Sequence, residues 1–396
     1  MKRVPILIAL CFFNSIILNA QEDIQEKEPI TFNLAETIGF AESQFSKATS
    51  SLDIDKGFPR ISNSDGTWLQ VNARNWTSGF FPGSLWYLYE LTGNKKWLKE
   101  AQKWTEPLSS LQTFSGHHDT GFMVYCSFGN GYRLTENKDY KDIIVNTSQT
   151  LTSRFYPNVG TIKSWDRGEH HITIIDNMMN LEMLMWASKN GGTKEMAKIA
   201  ISHADTTLEH HFMENGAAYH GVVYNPETGA VINKRTYQGY NDTTMWARGQ
   251  GWGIYGYSMM YKQTGDEKYL ELALKTADLC IDRFPEDVVP YWDFDAPMIP
   301  KREKDASAGA LMASAFLELY EHTNNLKYYN WAVKLLNELS SDRYLAKEEE
   351  YQCLILHSVG NYPKNSEVNV SLNYADYYYL EALVRLKKLS IGAQNN

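Results

Sequence analysis

Cysteine is scarce: four in 396 residues, too few to staple a fold. Cys126, Cys280 and Cys353, the three outside the N-terminal stretch, are odd in number and widely spaced. That pattern matches neither a disulfide framework nor a zinc cluster, so buried thiols are expected. Basic charge is also in deficit, with 38 Lys and Arg against 47 Asp and Glu and a formal charge of −9. No Lys/Arg cluster would track phosphates, which excludes nucleic acid as a partner. Beyond the N-terminus no apolar run reaches the ~20 residues that cross a bilayer, so the mature chain is expected in water without a membrane partner. His-Glu-x-x-His is missing. In His117-His118, His170-His171 and His210-His211 adjacent helical side chains would point apart, so neither a metal nor another cofactor is expected.

What the chain does carry begins with Lys2, Arg3, an apolar run from Val4 to Leu18 and a small Ala20, the marks of a secretory signal peptide. Residues 1–20 are therefore set apart from the fold, and export to the periplasm or the exterior is expected. Residues 21–396 are read as a single domain. Tyrosine and tryptophan are plentiful, 25 and 11. Flat rings with a polar tip suit sugar faces, although packing between helices must account for most of them.

Five turns resemble one another: Thr92-Gly-Asn-Lys-Lys-Trp97, Thr135-Glu-Asn-Lys-Asp-Tyr140, Gly191-Gly-Thr-Lys-Glu-Met196, Thr264-Gly-Asp-Glu-Lys-Tyr269 and Thr323-Asn-Asn-Leu-Lys-Tyr328. A recurring turn implies a recurring unit. After each comes an amphipathic helix, such as the one with Leu270, Ala273, Leu274, Ala277 and Ile281 at helical spacing. Before each comes a helix apolar on nearly all sides, as in Met178 to Ala187, Gly253 to Tyr261 and Ala310 to Tyr320, and such helices are buried. With an opening helix near Leu34 to Ala48 and a closing one from Tyr374 to Leu386, the chain reads as six helical hairpins in a ring, an all-α (α/α)6 barrel. Buried-to-surface links are about three residues long and surface-to-buried links are long. The long links must gather at the N-termini of the inner helices, where function concentrates. One of them, Ala217 to Tyr237, alternates about Asn225-Pro-Glu-Thr-Gly229 and reads as a β-hairpin. Converging helix N-termini carry positive partial charge, so this rim should welcome an anionic substrate.

The long links hold the polar candidates. Asp119 and Asp176 each precede a buried helix, where a carboxylate either caps free N–H groups or does chemistry. Two on one rim favour chemistry, because glycosidic reactions use paired carboxylates with one held protonated. A helix N-terminus favours the charged form, so a neighbouring carboxylate is the expected means of raising one pKa. Arg248 reads either as the partner of a buried acid such as Asp242 or as a fork for a substrate carboxylate. Trp76, Trp165 and Trp252 read as core or as stacking platforms. The glycines of Gly249-Gln-Gly-Trp-Gly253 suit close helix packing better than a nucleotide loop.

His118-Asp-Thr-Gly-Phe122, Ile175-Asp-Asn-Met-Met-Asn180, Trp246-Ala-Arg-Gly-Gln-Gly-Trp252 and Tyr374-Ala-Asp-Tyr-Tyr-Tyr-Leu-Glu-Ala-Leu383 together resemble glycoside hydrolase family 88, the unsaturated glucuronyl hydrolases, through nearly the whole mature chain. The resemblance implies an (α/α)6 barrel and removal of the 4,5-unsaturated uronic acid that polysaccharide lyases leave at a non-reducing end. It implies Asp176 as general acid and base and Asp119 as the second essential carboxylate. It places His118, His220, Gln238, Arg248, Trp252, Trp76 and Trp165 at or near substrate-contact positions. Tyr237 stands where some members carry His. The loop Asn361-Tyr-Pro-Lys-Asn-Ser366 is positioned to meet a sulfate on the neighbouring sugar, a solvated loop charge being the other reading of Lys364. Two rivals stand beside this reading: a related hydrolase acting on pectin fragments, and an oligosaccharide-binding protein without catalysis.

Overall fold

The computed structural model describes residues 28–394. The expected signal peptide lies outside the described residues. Among these residues twelve α-helices follow one another: α1 Leu34–Ser51, α2 Phe80–Thr92, α3 Lys95–Thr105, α4 Asn130–Thr135, α5 Lys138–Thr152, α6 Leu181–Lys189, α7 Lys194–His210, α8 Ala247–Thr264, α9 Glu267–Ile281, α10 Ala306–Thr323, α11 Leu326–Leu339 and α12 Asn373–Gln394. Two inner helices begin irregularly. A π-helical stretch, Gly121–Gly129, leads into α4, and a 3-10 stretch, Ile175–Asn180, leads into α6.

The even-numbered helices form an inner ring. In it α2 packs on the π-helical stretch, α8 on the 3-10 stretch before α6, α10 on α8, α12 on α10, and α12 closes back onto α2. Every residue from Ala306 to Leu319 of α10 is buried, as is every residue from Ala247 to Met260 of α8. That all-round burial is what a helix without a polar face requires. Glycines admit the neighbours. A Cβ on Gly251 would stand 2.7 Å from Leu311 Cδ2, and one on Gly256 would stand 2.5 Å from Met178 Cβ.

The recurring turn has a physical cause. Thr92, Thr135, Thr264 and Thr323 each donate a hydroxyl back to the carbonyl four residues earlier and accept the N–H two residues on. The residue between takes left-handed φ, at Gly93, Glu136, Gly265 and Asn324. Asn94, Asn137, Asp266 and Asn325 then cap the next helix through their side-chain oxygens. One hydroxyl and one cap close two helix ends in three residues, and each such cap contributes about 1 kcal/mol. The turn after α6 departs from this. It bends at Gly191, and Thr193 makes no side-chain cap bond.

The long links meet at the inner-helix N-termini, where they form more strand than the single expected hairpin. Among the described residues there are four small antiparallel sheets: β1 Phe58–Ser62 with β2 Trp68–Val71, β3 Phe155–Tyr156 with β4 Thr161–Ile162, β5 His171–Ile174 with β6 Gly221–Tyr224 and β7 Val231–Arg235, and β8 Ser358–Asn361 with β9 Ser366–Val370. The expected hairpin is β6–β7. It gains β5 from another link, which ties the segment before α6 to the segment before α8. Among the described residues no helix is long and apolar enough to cross a membrane. Cys280 and Cys353 are buried free thiols, whereas Cys126 is only half-buried because it lines a cavity inside the ring.

Candidate active site

Two of the long links lock together beneath the rim. Gly121 N–H donates to Asn180 Oδ1 at 2.8 Å, and a Cβ on Gly121 would meet that oxygen at 2.6 Å and Asn180 Cα at 2.7 Å. Glycine is therefore required two residues after Asp119 so that its segment can lie against the one carrying Asp176. Asn177 fastens the second segment from below, donating to Ile162 O and accepting from Ser164 Oγ.

Asp119 faces two imidazoles. Its Oδ2 lies 3.1 Å from His117 Nδ1 and its Oδ1 lies 3.2 Å from His118 Nε2. Burial works to raise its pKa, but His118, His117 and Arg154 outweigh burial and hold it below the usual carboxylate range. Burial opposes a charge on His117 as well. The bond and the charge of Asp119 prevail there, and the ring's affinity for a proton is raised. Burial pushes His118 down to about 4, so at neutral pH this ring is uncharged.

Asp176 has the reverse character. Burial pushes it up to about 7; Arg248 opposes, Asp119 adds to the rise, and the Trp252 indole N–H opposes more weakly. Its Oδ2 is buried without a hydrogen-bond partner, and His220 Nε2 lies 3.7 Å away. Tyr237 N–H donates to His220 Nδ1, which leaves the ring proton on Nε2 facing Asp176. A neighbouring carboxylate was expected to be the main cause of the raised pKa. Burial is the larger cause, and Asp119 ranks below both burial and Arg248. Neither carboxylate caps its helix, which removes the capping reading for both.

A raised pKa does not by itself mark the site. Asp376 and Glu182 are also pushed up to about 7 by burial. Asp376 accepts N–H groups from Leu354 and Ile355 and is a structural link. Glu182 lines the cavity inside the ring, among the side chains of the lower inner helices. Asp176 differs in facing a second carboxylate, an imidazole and a guanidinium.

Arg248 is buried and pairs with Asp305 Oδ2 at 2.8 Å. It also donates to the carbonyls of Val359 and Gly360 and lies 3.4 Å from Gln238 Oε1. The expected partner Asp242 instead accepts Thr236 N–H, because Asp305, at the N-cap of α10, sits on the neighbouring inner helix. The guanidinium lies over the rings of Trp246 and Tyr374 at 4.7 and 5.4 Å.

The tryptophans divide. Trp252 is wholly buried in the ring. Trp76 is half-buried and packs on Phe80, Phe122 and Tyr374. Trp165 is half-buried between His118 and Tyr237. Trp76 and Trp165 thus keep an open face, and Trp252 does not. Of the other paired histidines, His171 bonds Thr161 and His211 bonds Thr173 O, which makes these two structural.

Three neighbours of these residues are given no role by the sequence reading. His117 holds Asp119, Trp246 stacks on His220 at 4.3 Å, and Asp305 holds Arg248. A signal for Asp305 was present, since it is a third Asp immediately before an inner helix.

A ring of helical hairpins with a carboxylate pair at one mouth defines a glycoside-processing barrel, and comparison with known proteins gives the class. Residues 55–260 match the model of Glycosyl Hydrolase Family 88. An unsaturated glucuronyl hydrolase of Formosa agariphila is 38% identical over 98% of this chain and 99% of its own. An unsaturated chondroitin disaccharide hydrolase of Streptococcus pyogenes serotype M1 is 29% identical, covering 84% of this chain and 86% of its own. The crystal structure of an unsaturated glucuronyl hydrolase specific for heparin superposes with a TM-score of 0.88 at 42% identity, over 90% of this chain and 98% of that one. The chain belongs to glycosyl hydrolase family 88.

Proposed function

We propose that this glycoside hydrolase removes the 4,5-unsaturated uronic acid from the non-reducing end of oligosaccharides, with Asp176 as the general acid. The observation that carries the reading is the pair of carboxyls with opposite proton affinities, Asp176 near 7 and Asp119 below the ordinary range. An acid that is still substantially protonated near neutral pH beside an ionised carboxylate is what protonation of an enol ether requires.

In the proposed course Asp176 gives its proton to C4 of the double bond. Water adds at C5, and the proton it loses returns to the Asp176 carboxylate. The hemiketal so formed opens by breaking C5 from the ring oxygen. C1 is then a hemiacetal, which releases the shortened sugar as an alcohol and becomes an aldehyde. Asp119 holds the uronate hydroxyls. Arg248, backed by Asp305, and Gln238, His118 and His220 orient the sugar against the open faces of Trp76 and Trp165.

The likeness to the heparin-specific structure supports a glycosaminoglycan-type substrate. Because only β-elimination leaves such a double bond, a polysaccharide lyase must act first. Export is part of the proposal and rests on residues 1–20. N-terminal sequencing of the secreted product should begin near Gln21.

The test is the ultraviolet absorbance of an unsaturated disaccharide, which falls as the conjugated double bond is consumed. Asp176→Asn should abolish the fall while leaving the far-ultraviolet circular dichroism unchanged. Full activity in that variant would end the assignment.

A further inference from the structure

The ring has a second opening. Opposite the catalytic rim, a cavity of about 400 Å³ runs up between the inner helices, within the size range of small-molecule sites. Arg133, Lys262 and Glu321, in the last turns of α4, α8 and α10, border it. Gly121, Phe122 and Met179 close its inner end behind the segments that carry Asp119 and Asp176, and neither of those acids lines it.

The charges here do not balance. The cations are all answered, Arg133 and Lys388 by Glu90, and Lys262 and Arg385 by Glu318. Glu381 is satisfied by the hydroxyls of Tyr87, Tyr255 and Ser314. Glu182 is left over: it lines the cavity and has no hydrogen bond and no ion pair among the described residues. Burial, then the charge of Glu318, pushes its carboxyl up to about 7, with Glu381 adding and Lys262 and Arg385 opposing. The inner helices also end on this side, and the partial charge at helix C-termini is negative.

Aromatic rings stand beside this acid. Trp186 follows it by one turn on the same face of α6, and its ring lies 6.2 Å from that of Tyr125 and 5.1 Å from that of Tyr132. All three are half-buried and line the cavity. The Tyr378 hydroxyl, on the same lining, is buried without a hydrogen-bond partner. One carboxylate and a few phenols are too poor in oxygen for a hard metal ion. An unpaired carboxylate beside several ring faces suits an organic ammonium, which the rings attract through their quadrupoles.

We propose that this cavity is a binding site for a small organic ammonium ion, with Glu182 as its counter-charge and Trp186, Tyr125 and Tyr132 as its cage. The inference goes beyond the hydrolase reading above and does not depend on it.

The test is calorimetry of the full chain at pH 7 with tetramethylammonium chloride, sodium chloride at the same concentration being the control. A Kd of about 1 mM or tighter is expected. Because the cation draws Glu182 into its ionised form, binding should release roughly half a proton, read from the heats in two buffers of different ionisation enthalpy. Glu182→Gln should weaken binding about tenfold or more and abolish the proton release, and Trp186→Leu should weaken it about tenfold. Circular dichroism checks that both variants stay folded. Asp119→Asn and Asp176→Asn should change neither affinity nor proton release, which separates this cavity from the rim. No binding beyond the sodium control, affinity retained in Glu182→Gln, or affinity lost in either aspartate variant would overturn the proposal. Should Trp186→Leu fail to fold, Overhauser transfer from the N-methyl protons to the ring protons of Trp186 and Tyr125 decides the cage: transfer supports it, and binding without transfer refutes it.

Discussion

Replacing Asp176 by Asn should make the protein more stable relative to the parent as pH rises. The folded carboxyl titrates near 7 and its ordinary value is 3.8, so between these values the folded state holds a proton that the unfolded state has released. Stability therefore falls as pH rises through this window and is fully retained only below about 3.8. At about 1.4 kcal/mol for each tenfold change in proton affinity, the whole displacement costs the parent about 4 kcal/mol above pH 7, and about 1.6 kcal/mol of that is already felt at pH 5. Asparagine does not titrate. The gap between variant and parent should thus widen by about 3 kcal/mol from pH 5 to pH 8.5, whatever constant offset the substitution adds.

For a chain of this length that gap corresponds to roughly 3–6 °C in Tm, extending the size scaling of unfolding entropy. Differential scanning fluorimetry of both proteins at pH 5, 6, 7, 8 and 8.5 reads it directly. Comparing the two at each pH cancels the titration of every other group that both share. A Tm difference that stays flat across the series would mean that the carboxyl ionises normally. Such a carboxyl could not serve as an acid at neutral pH, and the mechanism would lose its proton donor.

Asp119→Asn removes a charge that raises Asp176, so the alkaline limb of kcat/KM should move to lower pH while activity falls at least a hundredfold, as a pH–rate profile would show. Arg248→Ala acts in the opposite direction, because the guanidinium lowers Asp176: the residual activity should keep its alkaline limb at higher pH, and KM should rise. Asp305→Asn leaves that guanidinium buried without its partner; a loss of about 3 kcal/mol or more is expected in urea unfolding, together with a higher KM. Gly121→Ala puts a methyl 2.6 Å from Asn180 Oδ1 and should cost about 1–3 kcal/mol, with activity falling further than stability because Asp119 is displaced.

The hairpin repeat was legible because its signal is local. A threonine, a left-handed residue and a capping Asn or Asp recur at fixed spacing, and the apolar helix before each turn has no polar face to show solvent. The rim was legible only in part. The strands β1 to β4 are short and pair within links whose alternation covers two to five residues, too few to separate from loop. The start of α4 was hidden as well, since a π-helical stretch has the same apolar content as an α-helix. Partners distant in sequence were the least accessible. Asp242 lies six residues from Arg248, and Asp305, which holds it, lies 57 residues away; only the packing of α10 on α8 makes the farther acid the nearer one. The leading cause of the raised pKa at Asp176 was missed for a related reason. Burial is a property of the closed ring, and the spacing of two carboxylates in the chain does not report it.

Burial nevertheless cannot explain why the two carboxyls differ. Asp119 and Asp176 are 8% and 9% exposed, so water is withdrawn from both to the same degree, yet one is held below the ordinary carboxylate range and the other is raised to about 7. What separates them is the company each keeps. Asp119 has an imidazole on each oxygen, and against burial the bond and the charge of Asp119, with Arg74 O accepting from the other nitrogen as a smaller cause, raise the proton affinity of His117. Asp176 is offered one imidazole at 3.7 Å, and that ring stays neutral: burial, with Arg248 next in weight, drives its pKa well below the ordinary value. Arg248 attracts the Asp176 carboxylate but spends most of its donors on Asp305 and two carbonyls, so its pull falls short of the burial penalty. The roles are therefore set by the histidines and by Asp305 rather than by the carboxylates themselves. His117→Phe should follow from this without any change to either acid. With its charged partner gone, Asp119 should titrate upward, and the acid limb of kcat/KM should move to higher pH. An acid limb that stays in place would show that His118 alone keeps Asp119 ionised.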